Sequence, residues 1–367
     1  MMFKSLNSVL HRKVSPPLPP HDDEAALAEE FCEYFSEKIN KIRKKLDLNT
    51  GSTSHEHSQQ VNQPLSDFKK VTKDEVKKII QNMSKSCELD PLPMWLAKEC
   101  IDEILPIITE IINRSLSLGE VPVQLKHAII KPLLKKLNLE LISKNYRPVS
   151  NLPFLSKILE ACVIQQFMDH MTENDLHDKK QSAYKKFHST ETLLLKVHND
   201  IMANLNKNEL VMLVMLDLSA AFDTIDHDIL LRRLEKMYGV QGTALKWFKS
   251  YLTNRTQSVM INGKESSQKS LSYGVPQGSK LGPILFNLYI APLSRIPALH
   301  EISDEKYADD EQLFLSFKPK DNAHTESAIK KMETCIKDIR KFLLDNKLCN
   351  NNEKTEFMII GCPQHVS

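Results

Sequence analysis

The run Leu210-Val211-Met212-Leu213-Val214-Met215-Leu216 is apolar at every position and stops at Asp217. A half-solvated strand alternates, so an unbroken run of this length fits a central strand buried on both faces. A carboxylate at the end of such a strand loses hydration that something must replace, and a bound cation is a sufficient partner. Asp223, Asp226 and Asp228 follow closely but precede a helical pattern at Ile229, Leu230, Leu234 and Met237. They read as residues that cap a helix and favour its N-terminus.

A second acidic feature is Tyr307-Ala308-Asp309-Asp310, followed by the alternating run Gln312 to Phe317. Adjacent aspartates between short apolar runs suit either an exposed turn or a divalent-metal site at the tip of a β-hairpin. Magnesium takes few protein carboxylates and completes its shell with water and phosphate oxygens. Two-metal phosphoryl transfer needs carboxylates that span both ions. The tetrapeptide alone does not choose between these readings. Of the nine glycines in the chain, two fall in Tyr273-Gly274-Val275-Pro276-Gln277-Gly278-Ser279. Such a loop lets another backbone approach closely. Gln277 offers an amide, and the helix start that follows favours phosphate. A purely structural turn is the alternative.

The rest of the chain is ordinary in composition, with 41% apolar and 26% charged residues and a net charge of +2. Overall charge therefore gives no argument for a polyanionic partner. Local clusters such as Lys131 to Lys136, Lys179-Lys180, Lys185-Lys186 and Arg232-Arg233 suit either solvated surface or a nucleic-acid-facing stripe. Seven cysteines without Cys-x-x-Cys spacing argue against a zinc module and for free thiols in a reducing compartment. The start lacks the apolar core of a signal peptide, and no stretch reaches the ~20 apolar residues of a membrane span. The expectation is a soluble, intracellular protein.

Residues 1–22 read as an extended Pro-rich linker and 23–46 as an amphipathic helix through Leu27, Phe31, Phe35, Ile39 and Ile42. Residues 49–63, polar throughout most of their length, read as a disordered linker, with His55-Glu56-His57 inside it too loosely placed to preorganise a metal site. Helical patterning over 72–100 and to about 117 ends near Gly119. His127 to Leu134 reads as a strand, and Asn145 to Ser150 as a turn into a further helix. Ser189 or Thr190 is a suitable N-cap for a helix to about Leu205. A long helix from about Asn322 to Leu344 precedes a helix-to-strand passage, Lys354 to Ile360, that ends at Gly361.

Taken in order, several motifs resemble the reverse transcriptase of non-LTR (LINE-type, Jockey and chicken-repeat-like) retrotransposons. Asn145 to Lys157 and Gln181 to Thr190 are similar to the two fingers motifs. Leu216 to His227 and Tyr307 to Asp310 are similar to the acidic motifs of the palm. Gly274 to Ser279 with Leu281-Gly282-Pro283 resembles the loop and helix under the incoming nucleotide, and Asn346 to Leu348 with Lys354 to Glu356 the next palm element. The resemblance implies an α+β right-hand polymerase fold with an antiparallel palm sheet packed on helices. It divides the chain into an N-terminal helix with disordered linkers (1–67), an N-terminal extension and fingers (68–208), palm (209–361) and a short tail (362–367), the thumb being missing.

The implied activity is RNA-directed DNA synthesis from an RNA template, a DNA primer and dNTPs, with two Mg²⁺ ions or Mn²⁺ in their place. A catalytically impaired remnant that binds nucleic acid at most is the alternative. The nucleus is the implied location. Residue by residue, Asp217, Asp309 and Asp310 would hold the metals with the backbone carbonyl of Leu218. Phe222 would exclude a ribose 2′-hydroxyl, and Gln277 and Gly278 would shape the nucleotide site. Arg147 and Lys185 would face triphosphate or template, and Lys354 would act as general acid toward pyrophosphate. The chain departs from the family pattern at Ala183, Tyr184, Lys185, Phe187, Lys280, Glu311, Cys349 and Asn350. At Lys185 the charge is kept, but the fork geometry of an Arg is lost.

Overall fold

The apolar run is a strand, and it lies in the middle of a four-stranded antiparallel sheet. The computed structural model describes residues 17–48, 61–83, 87, 89–318 and 322–361. In chain order its elements are α1 (Glu24–Asp47), α2 (Lys73–Gln81), α3 (Met94–Glu99), α4 (Ile101–Leu118), β1 (His127–Leu134), β2 (Tyr146–Asn151), α5 (Phe154–Glu173), α6 (Thr190–Leu205), β3 (Leu210–Leu216), α7 (His227–Lys236), α8 (Gly242–Leu252), β4 (Arg255–Ile261), β5 (Lys264–Glu265), β6 (Lys269–Leu271), α9 (Gly282–Ile290), α10 (Arg295–Leu299), β7 (Ser303–Tyr307), β8 (Asp310–Phe317), α11 (Asn322–Asp345) and β9 (Glu356–Ile360). Among the described residues, no helix is long and apolar enough to cross a membrane.

One sheet has the order β7-β8-β3-β9. The absence of alternation in β3 has a direct cause. Met212, Val214 and Leu216 enter the main core, while Val211 and Leu213 on the other face pack with Phe314 and with Ile201 of α6. The main core continues through α5, α8, α9 and α11. At its centre Trp247 stacks on Tyr251, with Phe68 and Phe248 edge-on to the indole.

The second sheet has the order β2-β1-β4-β5, with β6 also paired to β4. Residues 145–150 read from sequence as a turn, but 146–151 are a strand paired with β1 from Leu134↔Tyr146 to Ile129↔Asn151. Pro148 misleads the local reading, but β2 is an edge strand, where a residue without an N–H is tolerated. Strands β4 to β6 come from the 209–361 stretch and yet join this sheet, β4 running parallel to β1. The contiguous division at 208/209 therefore does not describe the sheets, because the chain leaves the first sheet and returns to it.

The N-terminal segment is also more integrated than its composition implies. Leu27, Phe31 and Phe35 of α1 pack on Ile130, Tyr146, Val259 and Ile261 of the second sheet. Residues 61–67, assigned to the linker in part, run beside 239–244, with Leu65 N–H donating to the Gly239 carbonyl at 2.9 Å. Residues 49–60, with His55-Glu56-His57, the first 16 residues and the tail 362–367 lie outside the described residues.

The loop glycines have internal reasons. Gly278 has φ +125°, and a Cβ there would stand 2.4 Å from the Ser150 carbonyl oxygen of β2. Gly274 has φ +77°, and its Cβ would meet the Asp223 backbone at 2.7 Å. The backbone that approaches so closely is the protein's own. Gly278→Ala should therefore cost about 3 kcal/mol or more of stability. Gly263→Ala, at φ +87° with open space around it, should cost about 1 kcal/mol. Urea denaturation of the two variants reads the difference, and equal losses would contradict the close approach.

Candidate active site

The β3–β8 register places the acidic residues. Leu216 lies opposite Glu311 and Tyr307 opposite Asp310, so Asp217, one residue beyond β3, emerges beside the β7–β8 turn. Ala308 forms that turn at φ +57°, and Asp309 and Asp310 follow it. Burial, then the charges of Asp310 and Asp217, hold the Asp309 carboxyl above the usual carboxylate range. Burial and the Asp217 charge do the same to Asp310. The three carboxylates thus share one electrostatic site.

Asp217 also has protein partners. Its Oδ2 accepts from Asn351 Nδ2 at 2.8 Å, and Lys354 Nζ stands 3.4 Å from the carboxylate. Its carbonyl accepts from Asn351 N–H at 2.8 Å, and Leu218 pairs with Asn350 as an isolated bridge. Among the described residues, no three His, Cys, Asp or Glu side chains are gathered into a metal-ligand set on their own. The donor chemistry nevertheless suits a hard divalent cation: all the groups are carboxylate or carbonyl oxygens, and their mutual repulsion falls when a cation enters.

The turn is held from outside the hairpin. Gln181 Oε1 accepts from Ala308 N–H at 2.9 Å, and its Nε2 donates to the Ala308 carbonyl at 3.2 Å. On the same strip, Ser182 N–H donates to the Lys306 carbonyl and Lys306 N–H to the Lys180 carbonyl. The segment after α5 so extends the sheet beyond β7. Sequence reading named Gln181 as part of a motif but missed this clamp, which joins residues 127 positions apart.

The remaining candidates fall on three sides. Phe222 stacks on Phe286 of α9 with ring centroids 4.6 Å apart. The Gln277 carbonyl accepts from Ser150 N–H at 2.7 Å, and its side-chain Oε1 is buried without a hydrogen-bond partner. Gln277 lines a cavity of about 210 Å³ with Asp223, Lys38, Pro148 and Tyr273. Arg147 lies near enough to Lys135 to help lower the pKa of that ammonium, behind burial and the charges of Lys38 and Lys354. Lys185 stands apart, in a different recess with Met168, His177 and Asn287. Burial and the nearby Lys185 charge keep the His177 imidazole below its usual range. Of Asp223, Asp226 and Asp228, Asp226 is the helix cap, accepting from the N–H groups of Asp228 and Ile229 at 3.1 Å each.

Residues 133–365 match the family described as reverse transcriptase (RNA-dependent DNA polymerase). The chain belongs to that family. Its two sheets are accordingly those of an α+β right-hand polymerase fold. It is 30% identical over 247 residues to the RNA-directed DNA polymerase from mobile element jockey of Drosophila melanogaster, covering 65% of this chain and 27% of that protein. It is 31% identical over 211 residues to the probable RNA-directed DNA polymerase from transposon BS of the same species, covering 56% of this chain and 23% of that protein. The chain thus spans about a quarter of the length of these curated relatives. Among solved structures it is similar to apo telomerase from Candida tropicalis truncated from the C-terminal domain, at 13% identity and a TM-score of 0.47, covering 76% of this chain and 59% of that one.

Asp223 supplies a pH test of the site's surroundings. Burial pushes its carboxyl up to about 6, with Lys38 opposing. The folded chain holds this proton more tightly than the unfolded chain does. Stability is therefore lost as pH rises from about 4 to about 6, and the loss persists above that range. Asp223→Asn should melt about 5 °C higher than the parent at pH 8 and together with it near pH 4, as read by thermal unfolding at both pH values.

Proposed function

We propose that this chain extends the 3′-OH of a DNA primer with dNTPs on an RNA template. The convergence of Asp217, Asp309 and Asp310 at one end of the β3–β8 pair carries this reading. These carboxylates and the Leu218 carbonyl would hold two Mg²⁺ ions, or Mn²⁺, which when bound lower the pKa of the attacking hydroxyl and neutralise the leaving pyrophosphate. Phe222, braced by Phe286, meets the sugar and disfavours a 2′-hydroxyl. Gln277 has a free buried acceptor for the nucleotide or template, and Gly278 sets the loop against β2 so that this acceptor is presented. Arg147 offers a guanidinium to phosphate. Lys354 sits on Asp217, from which its ammonium can transfer to the phosphate side and donate a proton to pyrophosphate. Lys185, placed in the other recess, suits template contact better than triphosphate contact. We assign β1, β2 and β4 to β6 to the fingers and β3 and β7 to β9 to the palm.

One observation favours the rival reading of a chain that keeps the fold without the activity: Asp217 is bound by Lys354 and Asn351. Primer extension on RNA with dNTPs and Mg²⁺ decides. Asp309→Asn should reduce extension by about a thousandfold, the equivalent of several kcal/mol of lost transition-state stabilisation. An unmutated chain no more active than this variant would establish the inactive reading.

A further inference from the structure

Helix α1 precedes the segment that matches the polymerase family, which begins at residue 133. Its first half packs on the second sheet, and its second half reaches the first sheet's side of the molecule. There Arg43 Nη2 meets Asp226 Oδ2 at 3.0 Å, Arg43 Nη1 donates to the Thr224 carbonyl at 3.2 Å, and the guanidinium lies 4.0 Å over the Tyr273 ring. Lys347 Nζ donates to the Leu46 carbonyl at 3.1 Å and pairs with Asp47 at 3.2 Å. The helix is thereby fixed at both ends and spans the cleft between the sheets.

Under this span lies a cavity of about 510 Å³, floored by Leu218, Ser219 and Ala220. Among the described residues, every charged side chain that lines it is a lysine, namely Lys38 and Lys45 from α1, Lys135 from beyond β1, and Lys354, and no carboxylate lines it. Lys354 is already paired with Asp217 and the Lys38 charge acts on Asp223, so the positive field of the cavity is only partly uncompensated. Its effect is visible at Lys135, whose pKa is lowered by burial and then by Lys38, Lys354 and Arg147. The cavity begins one residue after Asp217 and is bounded on one side by the helix. Its volume has room for a compact polyanion.

We propose that α1 is a roof over the polyphosphate end of the nucleotide site, with Lys38 and Lys45 binding the phosphates of the incoming nucleotide. This rests on the polymerase reading for the nucleotide's identity but not for the anion site itself. Lys38 and Lys45 lie one and three residues on from Glu37 and Ile42 along the helix, on the side that faces the cavity. Two ammonium groups supplied from above oppose Lys135 and Lys354 and surround a triphosphate from both sides. Phosphate oxygens would accept charge-assisted hydrogen bonds from these ammonium groups.

The test uses the full chain and sodium tripolyphosphate, titrated calorimetrically without metal. The unmutated chain should bind, the Lys38→Ala/Lys45→Ala double variant should bind about tenfold more weakly, and Lys38→Arg should bind like the unmutated chain. Lys41→Ala, on the same helix but paired with Glu37 in solvent, should change nothing and controls for loss of helix. In primer extension the double variant should raise the dNTP KM by a similar factor while kcat stays within about twofold. Undiminished tripolyphosphate binding by the double variant, no binding by the unmutated chain, or a fall in kcat at constant KM overturns the proposal. Weakened binding in a chain that extends no primer would sink the polymerase reading and leave α1 as the roof of a polyphosphate site.

Discussion

The pairing of β3 with β8 is the constraint on which the rest of this structure depends. Seven consecutive rungs run from Leu210↔Phe317 to Leu216↔Glu311. A slip of one residue would turn Met212, Val214 and Leu216 out of the main core and exchange them for Val211 and Leu213. Both faces are apolar, so hydrophobicity alone would tolerate that exchange better here than in an alternating strand. The register is held by what lies at the ends, namely the Ala308 turn with its Gln181 clamp and the Asn351 N–H on the Asp217 carbonyl. The same ends carry the carboxylates, so whatever fixes the register also aims the site.

Behind the hairpin the sheet accepts an unusual density of buried charge. Lys306 is 1% exposed and meets Asp178 Oδ2 at 3.0 Å, while Asp304, Glu305 and Glu311 are buried around it. Burial pushes the Glu311 carboxyl up to about 7 in spite of Lys306. One atom each of Asp304 and Glu311 is buried without a partner. Burying so many ionisable groups costs free energy that their mutual attraction only partly offsets. A comparable device supports the glycine loop. There Glu160, 1% exposed, accepts from the N–H groups of Lys280 and Leu281 and from the Tyr251 hydroxyl. It thereby satisfies the start of α9 at the cost of its own desolvation.

Much of this was legible in the residues. The β3 run, the hairpin at Asp309-Asp310, the amphipathic α1 and the Gly119 helix end follow from period, turn chemistry and the left-handed φ of +64° that Gly119 adopts. Ser189 is the N-cap of α6 with a reciprocal capping box through Thr192. The errors share a cause. Asn145 to Ser150 reads as a turn because Pro148 is judged locally, whereas its tolerance depends on which edge of β2 is unpaired. The linker reading of 61–67 fails because its backbone hydrogen bonds go to residues 239–244, far along the chain.

The sequence by itself determined the elements that local physics controls: which segments are helices and strands, where they stop, and which carboxylates follow a buried strand. Its motif order also determined the family. The tertiary structure alone decided what those groups meet. It sent β4 to β6 back to the second sheet, separated Lys185 from the other candidate cations, and laid α1 across the cleft with Lys38 facing Lys135 and Lys354. The physical reason is range. Dihedral preference and hydrophobic period act over a few residues, whereas the electrostatic field at Asp217 and Lys135 is set by groups brought together from across most of the chain.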